Sequence, residues 1–365
     1  MIPMSLQQQL HRLNVRHHPQ HLYFAPEWIV LGVNNLCNMH CKMCDVGLGN
    51  TDTTFFTNLM GTDPVNMPLP LFERIVDQVA EHWPKTRLGF AFTEPLIYPD
   101  LFDALRYARG RGLECGVTTN ALQLPKKAEA LAQAGLDHLY VSLDGPPEIH
   151  NAIRGHAQGF QRALEGLRAL AAMPQRPTLS VYCVITEWNA GHLVEFAEIF
   201  RGLPLTTLGF MHALITPQSL ADTHNAQYGD RYPATASNLG EHDARRMDFD
   251  ALAAEIAALR GLGLPFQVSF SPNLHTAEEL RTFYLQPEIA MGKSCSDVSR
   301  TIMIKSDGSA VPAHGRCYNV SPGNVYTQTL PEIWNAPMLA QLRSDLRDAG
   351  GLLPACTRCC SAFAR

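Results

Sequence analysis

Short runs rich in β-branched and aromatic residues alternate along the chain with stretches in which apolar side chains recur every three or four positions. The runs lie at 28–34, 87–93, 114–119, 138–143, 179–185 and 207–214. Stretches of helical period lie between them, at 71–82, 101–109, 126–134, 159–172 and 191–200. Strand–helix units in series predict an α/β fold whose parallel sheet curls into a partial (β/α)6 TIM-like barrel. In such a sheet the loops after the strands gather at one end and build the site.

Two stretches break the rhythm. Residues 47–67 form a polar insertion, and 216–243 reads as a long loop rich in His, Thr, Asn and Tyr. Loops of that length inside a compact domain are usually functional lids or partly disordered segments. A helix at 252–260 and a further strand at 266–270 follow. From about residue 291 the texture changes. Runs at 301–305 and 309–311 flank Ser306-Asp307-Gly308, a hairpin signal. A helix at 331–347 and a Cys-rich tail complete a small α+β extension. The expected division is an N-terminal arm over 1–27, the barrel over 28–288 and the Cys-rich extension over 289–365.

A chain of 365 residues suits one large catalytic domain with an appendage. Its formal charge of −5 gives no electrostatic case for gripping nucleic acid or an anionic membrane. The longest apolar runs fall well short of the ~20 residues of a membrane span. The first 20 residues are polar and His-rich, without a secretory core. A cytoplasmic location is therefore expected. In a reducing compartment, clustered cysteines bind metal more readily than they form disulfides. Six of the ten cysteines lie in two groups: Cys37, Cys41 and Cys44, then Cys356, Cys359 and Cys360.

The first group reads C-x3-C-x2-C and follows the first strand. Three soft thiolates suit an iron–sulfur cluster and leave one iron of a cubane open. A zinc site of three cysteines and His40 is the alternative. This spacing resembles the radical SAM superfamily, and so do motifs further on. Thr93-Glu94-Pro95 stands where the family carries Gly-Gly-Glu-Pro, with Phe92-Thr93 replacing the glycines. Thr118-Thr119-Asn120 is similar to the family's Thr-Asn-Gly, with Ala121 for the glycine. Val141-Ser142-Leu143-Asp144-Gly145, His150 and Ile153-Arg154-Gly155 resemble its fourth strand and following loop.

The resemblance covers roughly 28–215 and implies a [4Fe–4S] cluster at Cys37, Cys41 and Cys44 with S-adenosylmethionine (SAM) on its open iron. It implies SAM-binding positions at Thr93, Glu94, Pro95, Asn120, Ser142, Asp144 and Arg154. Glu94-Pro95 would receive the amino group, and Ser142 and Arg154 the ribose or carboxylate. It also implies reductive SAM cleavage to a 5′-deoxyadenosyl radical, with electrons from a flavodoxin- or ferredoxin-type donor. Read from the residues alone, Glu94 is also a capping carboxylate, Asp144 a turn former and Arg154 an ion-pair partner.

Cys295, Cys317 and the C-x2-C pair Cys356 and Cys359 supply four more thiols. With the hairpin at Gly308, Gly323-Asn324-Val325 and Leu330-Pro-Glu-Ile-Trp334, they resemble the SPASM/twitch extension, which implies one auxiliary [4Fe–4S] cluster. Ala313 stands where that family often has cysteine, leaving His314 and Cys360 as substitutes. A structural four-cysteine zinc site is the alternative. Cys115 and Cys183 read as buried filling. His212, ending the sixth run, is expected at the barrel mouth as a proton acceptor, with a satisfied structural histidine as the alternative. The loop 216–243, with His224, Tyr228 and Arg231, is expected to close over substrate. Only 36 residues precede Cys37, which favours a small-molecule substrate, a carbohydrate or natural-product intermediate, oxidised through the auxiliary cluster. A peptide maturase forming cross-links or epimerised residues is the alternative, and an iron–sulfur electron carrier a remote one.

Overall fold

The computed structural model describes residues 6–363. Its centre is one sheet of nine strands: β1 Trp28–Leu31, β2 Arg87–Phe90, β3 Cys115–Thr119, β4 His138–Ser142, β5 Thr178–Ile185, β6 Leu205–His212, β7 Gln267–Ser271, β8 Thr301–Ile304 and β9 Ala310–Pro312. The order is β7-β6-β5-β4-β3-β2-β1-β8-β9. Every pairing is parallel except β8 with β9. The first six strands stand in sequence order, as the alternation predicts. The sheet stays open, with β7 and β9 at its edges, and so forms a partial TIM-like barrel.

Alternation sorts the strand side chains. Ile29, Leu31, Leu88, Phe90, Val117, Leu139, Val141, Val181, Ile185, Leu208 and Phe210 are buried in the layer beneath the helices. The opposite face carries Trp28, Tyr140 and Tyr182, whose rings fill the barrel interior; Tyr140 meets Tyr182 edge to face at 6.0 Å. The crossover helices supply the outer apolar stripe. Helix Leu69–His82 opens with a proline in its first turn and buries Leu71, Phe72, Ile75, Val76 and Val79, a spacing of three and four.

Three features differ from the sequence pattern. The hairpin of the extension continues the barrel sheet: β8 lies parallel to β1, with Trp28 opposite Thr301 and Leu31 opposite Ile304. The stretch 216–243 is not all loop, because Gln218–Tyr228 is helical. The helix expected over 331–347 is two, Leu330–Trp334 and Pro337–Asp348. Pro337 has no N–H to continue the first and is suited to start the second. Ahead of β1, Leu6–His17 forms a helix within the arm, whose residues 1–5 lie outside the described residues. No described helix is long and apolar enough to cross a membrane.

Candidate cluster and cofactor site

The first cysteine loop leaves the end of β1 and is clamped on two sides. On one side, His40 N donates to Arg154 O at 3.3 Å and Lys42 N to Ile153 O at 2.9 Å, at the end of helix Pro147–Arg154. On the other, buried Asp45 accepts from Ser237 Oγ at 2.8 Å and Asn238 N at 2.9 Å. Gly47 allows the tight fold between them, since a Cβ there would sit 2.5 Å from Cys41 N. The loop thus holds Cys37 exposed, Cys44 half-buried and Cys41 buried against Met39 and Leu122.

Arg154 stands beside these thiols. Its Nε donates to Asp144 Oδ2 at 2.6 Å, and Asp144 is completely buried. Asp144 Oδ1 also accepts from Val184 N at 2.8 Å, and His150 Nδ1 accepts from Asp144 N at 3.0 Å. The buried carboxylate therefore fixes the guanidinium next to Cys41. Burial pushes Cys41 up to about 12, against the pull of Arg154. Burial likewise raises Cys37 and Cys44. Thiols so placed ionise when a cationic iron centre arrives, and the soft donor set fits an iron–sulfur cluster.

Glu94 follows β2 and is 1 % exposed. Its Oε1 accepts from Thr119 Oγ1 at 2.6 Å and Leu96 N at 2.9 Å, and its Oε2 from Asn120 N at 2.7 Å. Burial raises its pKa, while these three donors hold the charged form. Asn120 Nδ2 in turn donates to Asn38 Oδ1 at 2.7 Å, inside the cysteine loop. Thr93 Oγ1 donates to Asn34 O at 2.9 Å, and Asn34 Nδ2 to Glu94 O at 3.0 Å. The carboxylate therefore organises the ends of β2 and β3 around the cysteine loop. Pro95 opens the short helical turn that Glu94 caps. Ser142, half-buried, shares the inner face with Tyr140 by alternation.

The second thiol group is built where the extension folds back. Cys295, Cys317, Cys356 and Cys359 line one cavity with His314, Arg316, Tyr318, Phe55 and Ser237. Tyr318 Oη lies 3.1 Å from Cys356 Sγ. Burial pushes Cys356 up to about 11 and lifts Cys295 and Cys317 as well. Cys359 is held well below the usual thiol range by hydrogen bonds from Cys360 and His314, which outweigh its burial. Four converging soft donors fit a second iron–sulfur cluster. His314 and Cys360 crowd the same spot: His314 Nε2 lies 3.8 Å from Cys359 Sγ and 3.6 Å from Cys360 Sγ.

His212 is not at the barrel mouth. It is completely buried, with Nδ1 3.0 Å from Tyr284 Oη and its ring against Phe283. It shares the helix-facing side with Leu208 and Phe210, the consequence of a two-residue strand period. His224 is buried too, its Nε2 2.8 Å from Tyr232 O. Cys115 and Cys183 are buried as expected.

Some residues of the site escaped the sequence reading. Asp45, Ser237 and Asn238 are joined across 192 and 193 positions, so no local pattern links them. Asn38 lay inside the motif, but its partner Asn120 is 82 residues away. Tyr318, adjacent to Cys317, was within reach of the argument that buried tyrosines near thiols find them as partners.

A model of the radical SAM superfamily matches residues 32–200, and a model of the SPASM iron–sulfur cluster-binding domain matches residues 295–360. The tungsten-containing aldehyde ferredoxin oxidoreductase cofactor-modifying protein of Pyrococcus furiosus is 23% identical over 358 residues, covering 91% of this chain and 87% of that protein. Molybdenum cofactor biosynthesis protein 1 of Mus musculus is 31% identical over 193 residues, but the chain spans only 27% of its length. Among solved structures, Streptococcus suis SuiB bound to precursor peptide SuiA superposes with a TM-score of 0.64 at 15% identity, over 94% of this chain and 74% of SuiB.

Proposed function

The chain belongs to the radical SAM superfamily and carries a SPASM iron–sulfur domain, and from that premise we propose that it oxidises a small organic molecule by hydrogen-atom abstraction. In this reading Cys37, Cys41 and Cys44 hold the cluster that receives SAM. Cys295, Cys317, Cys356 and Cys359 hold an auxiliary cluster. Bound at the first site, cluster and SAM supply a 5′-deoxyadenosyl radical once a flavodoxin- or ferredoxin-type donor delivers one electron.

The residues of the chain hold and orient. In this reading Asn120 and Ser142 would contact SAM, with Thr93 and Pro95 shaping the end of β2. Asp144 fixes Arg154 beside the thiols, where the guanidinium meets a carboxylate or ribose. Glu94 would receive the SAM amino group at Oε2, which accepts only from Asn120 N, while Oε1 ties Thr119 and Leu96. With both groups bound, substrate would lose a hydrogen atom at the first site, an electron at the second and one proton to solvent, a net two-electron oxidation.

The observation that carries this reading is the enclosed second thiol group, whose cluster would accept an electron from a substrate radical. The walls of that site join the auxiliary thiols to Thr54, Phe55, Thr216, Thr235 and Ser237, from the two insertions that close over the first cysteine loop. The relationship to a cofactor-modifying protein over most of both chains supports the reading. A peptide substrate is the second reading, favoured by the fold shared with SuiB in its complex with SuiA.

The test is 5′-deoxyadenosine formation by the reconstituted enzyme with cell extract split by ultrafiltration. Stimulation by the protease-treated, low-mass filtrate supports a small molecule. Stimulation confined to the retained fraction and destroyed by protease replaces it with a peptide.

A further inference from the structure

His314 is 6 % exposed and sits among five polar atoms. Arg316 N donates to its Nδ1 at 3.2 Å. That nitrogen is therefore an acceptor, and the ring proton of the neutral imidazole sits on Nε2. Nε2 faces Ser361 Oγ at 2.9 Å, Cys360 Sγ at 3.6 Å and Cys359 Sγ at 3.8 Å. Ser361 Oγ spends its own proton on Asp297 Oδ2 at 2.6 Å, so toward His314 it accepts. Asp297 Oδ2 is itself 3.6 Å from Nε2. Ser361 Oγ and Asp297 Oδ2 thus call for a donor at Nε2, and a metal-bound thiolate would do the same. The ring is held in plane by Phe92, stacked at 5.9 Å and 27°.

A metal ligand needs the opposite arrangement: a lone pair on the nitrogen facing the metal, and a proton on the other nitrogen, given to an acceptor. His314 has an N–H donor, not an acceptor, against Nδ1. We propose that His314 is a positioning residue of the auxiliary centre, donating its Nε2–H toward the cysteine sulfurs without ligating iron, and so raising the centre's reduction potential. Hydrogen bonds to cluster sulfurs are among the levers that set such potentials. The donated N–H places positive charge by the sulfurs and favours the reduced, more negative cluster. A centre tuned upward is the better electron acceptor. Cys359 and Cys360, adjacent in sequence, share this one donor with Ser361 Oγ, which orders the C-x2-C end of the site.

The inference rests on the reading that the extension holds an auxiliary cluster. Its test is a redox titration of the full reconstituted chain, followed by electron paramagnetic resonance. The auxiliary signal is the component that SAM does not perturb. His314→Ala is expected to keep wild-type iron and sulfide and to shift the auxiliary midpoint to more negative potential. His314→Gln, which restores an N–H donor, is expected to recover part of the shift. A merely structural role would lower stability and leave the potential in place. Loss of about four irons, or a three-iron signal, in His314→Ala would make His314 a ligand and overturn the proposal. An unmoved midpoint with intact iron overturns it as well. A wild-type chain with no SAM-insensitive centre instead defeats the auxiliary-cluster reading, and this inference with it.

Discussion

The ring of Phe92 stacks on the imidazole of His314, with centroids 5.9 Å apart and planes inclined by 27°. Phe92 lies two residues before Glu94, at the end of β2, and His314 touches the auxiliary thiols. One ring contact therefore joins the strand end that organises the first cysteine loop to the wall of the second thiol group. Phe92 makes this contact with φ of 79°, a left-handed conformation that a bulky side chain rarely adopts. Its ring also meets Phe55 edge to face at 6.5 Å.

The backbone strain and the ring contacts at Phe92 are separable. Phe92→Ala removes the ring and keeps the strain, whereas Phe92→Gly removes both. A left-handed non-glycine residue costs roughly 1–2 kcal/mol. Denaturant unfolding of the cluster-free chain should therefore rank wild type above Phe92→Gly and Phe92→Gly above Phe92→Ala. Equal midpoints for the two variants would show that the strain is negligible.

Asp144 and Arg154 form a buried pair, with side chains 0% and 11% exposed. Removing one member leaves the other charged in a dry setting, at a cost of roughly 3–5 kcal/mol. Asp144→Asn should lower unfolding free energy by about that amount. A loss below about 1 kcal/mol, the scale of exposed pairs, would mean that water reaches Arg154.

Asp45 ties the first cysteine loop to Ser237 and Asn238. Asp45→Ala leaves those donors unpaired, a penalty of roughly 1–3 kcal/mol. Because the bonds are local, amide exchange should accelerate most over 235–243 and in the cysteine loop. Uniform acceleration across the sheet would argue that the clamp is part of the global fold.

Burial lowers the pKa of His212 to about 3. The unfolded chain protonates it near 6.5, so between these values the unfolded state binds the extra proton. The contribution to stability is full above about pH 6.5 and is lost as pH falls toward the folded value. His212→Asn keeps a donor for Tyr284 Oη without a titrating group. It should flatten the acid limb of stability against pH by up to about 1.4 kcal/mol per pH unit. An unchanged slope would mean that His212 does not titrate on unfolding.

Much of this was legible in the sequence because it is local. Strand–helix alternation over 28–214 showed the parallel sheet, and three cysteines within eight residues showed the metal loop. What stayed hidden was set by contacts between distant residues. Nothing near Thr301 says that β8 will join β1. The carboxylate of Glu94 is engaged by residues 25 and 26 positions away. The face of His212 was within reach, since it follows Leu208 and Phe210 at a spacing of two. Its place at a strand end drew it toward the mouth instead. The helix Gln218–Tyr228 was masked by its polar composition; Leu220, Ala221 and His224 are its buried residues.

In the proposed function two separate thiol groups hold two clusters, and the first cleaves SAM. Iron and sulfide per chain, measured after anaerobic reconstitution beside 5′-deoxyadenosine formed with SAM and dithionite, test it most directly. About eight irons and SAM cleavage are expected in the wild type. About four irons and no cleavage are expected for Cys41→Ala, and about four irons with cleavage intact for the Cys356→Ala, Cys359→Ala double variant. Zinc in place of iron, or cleavage that survives Cys41→Ala, would contradict this reading.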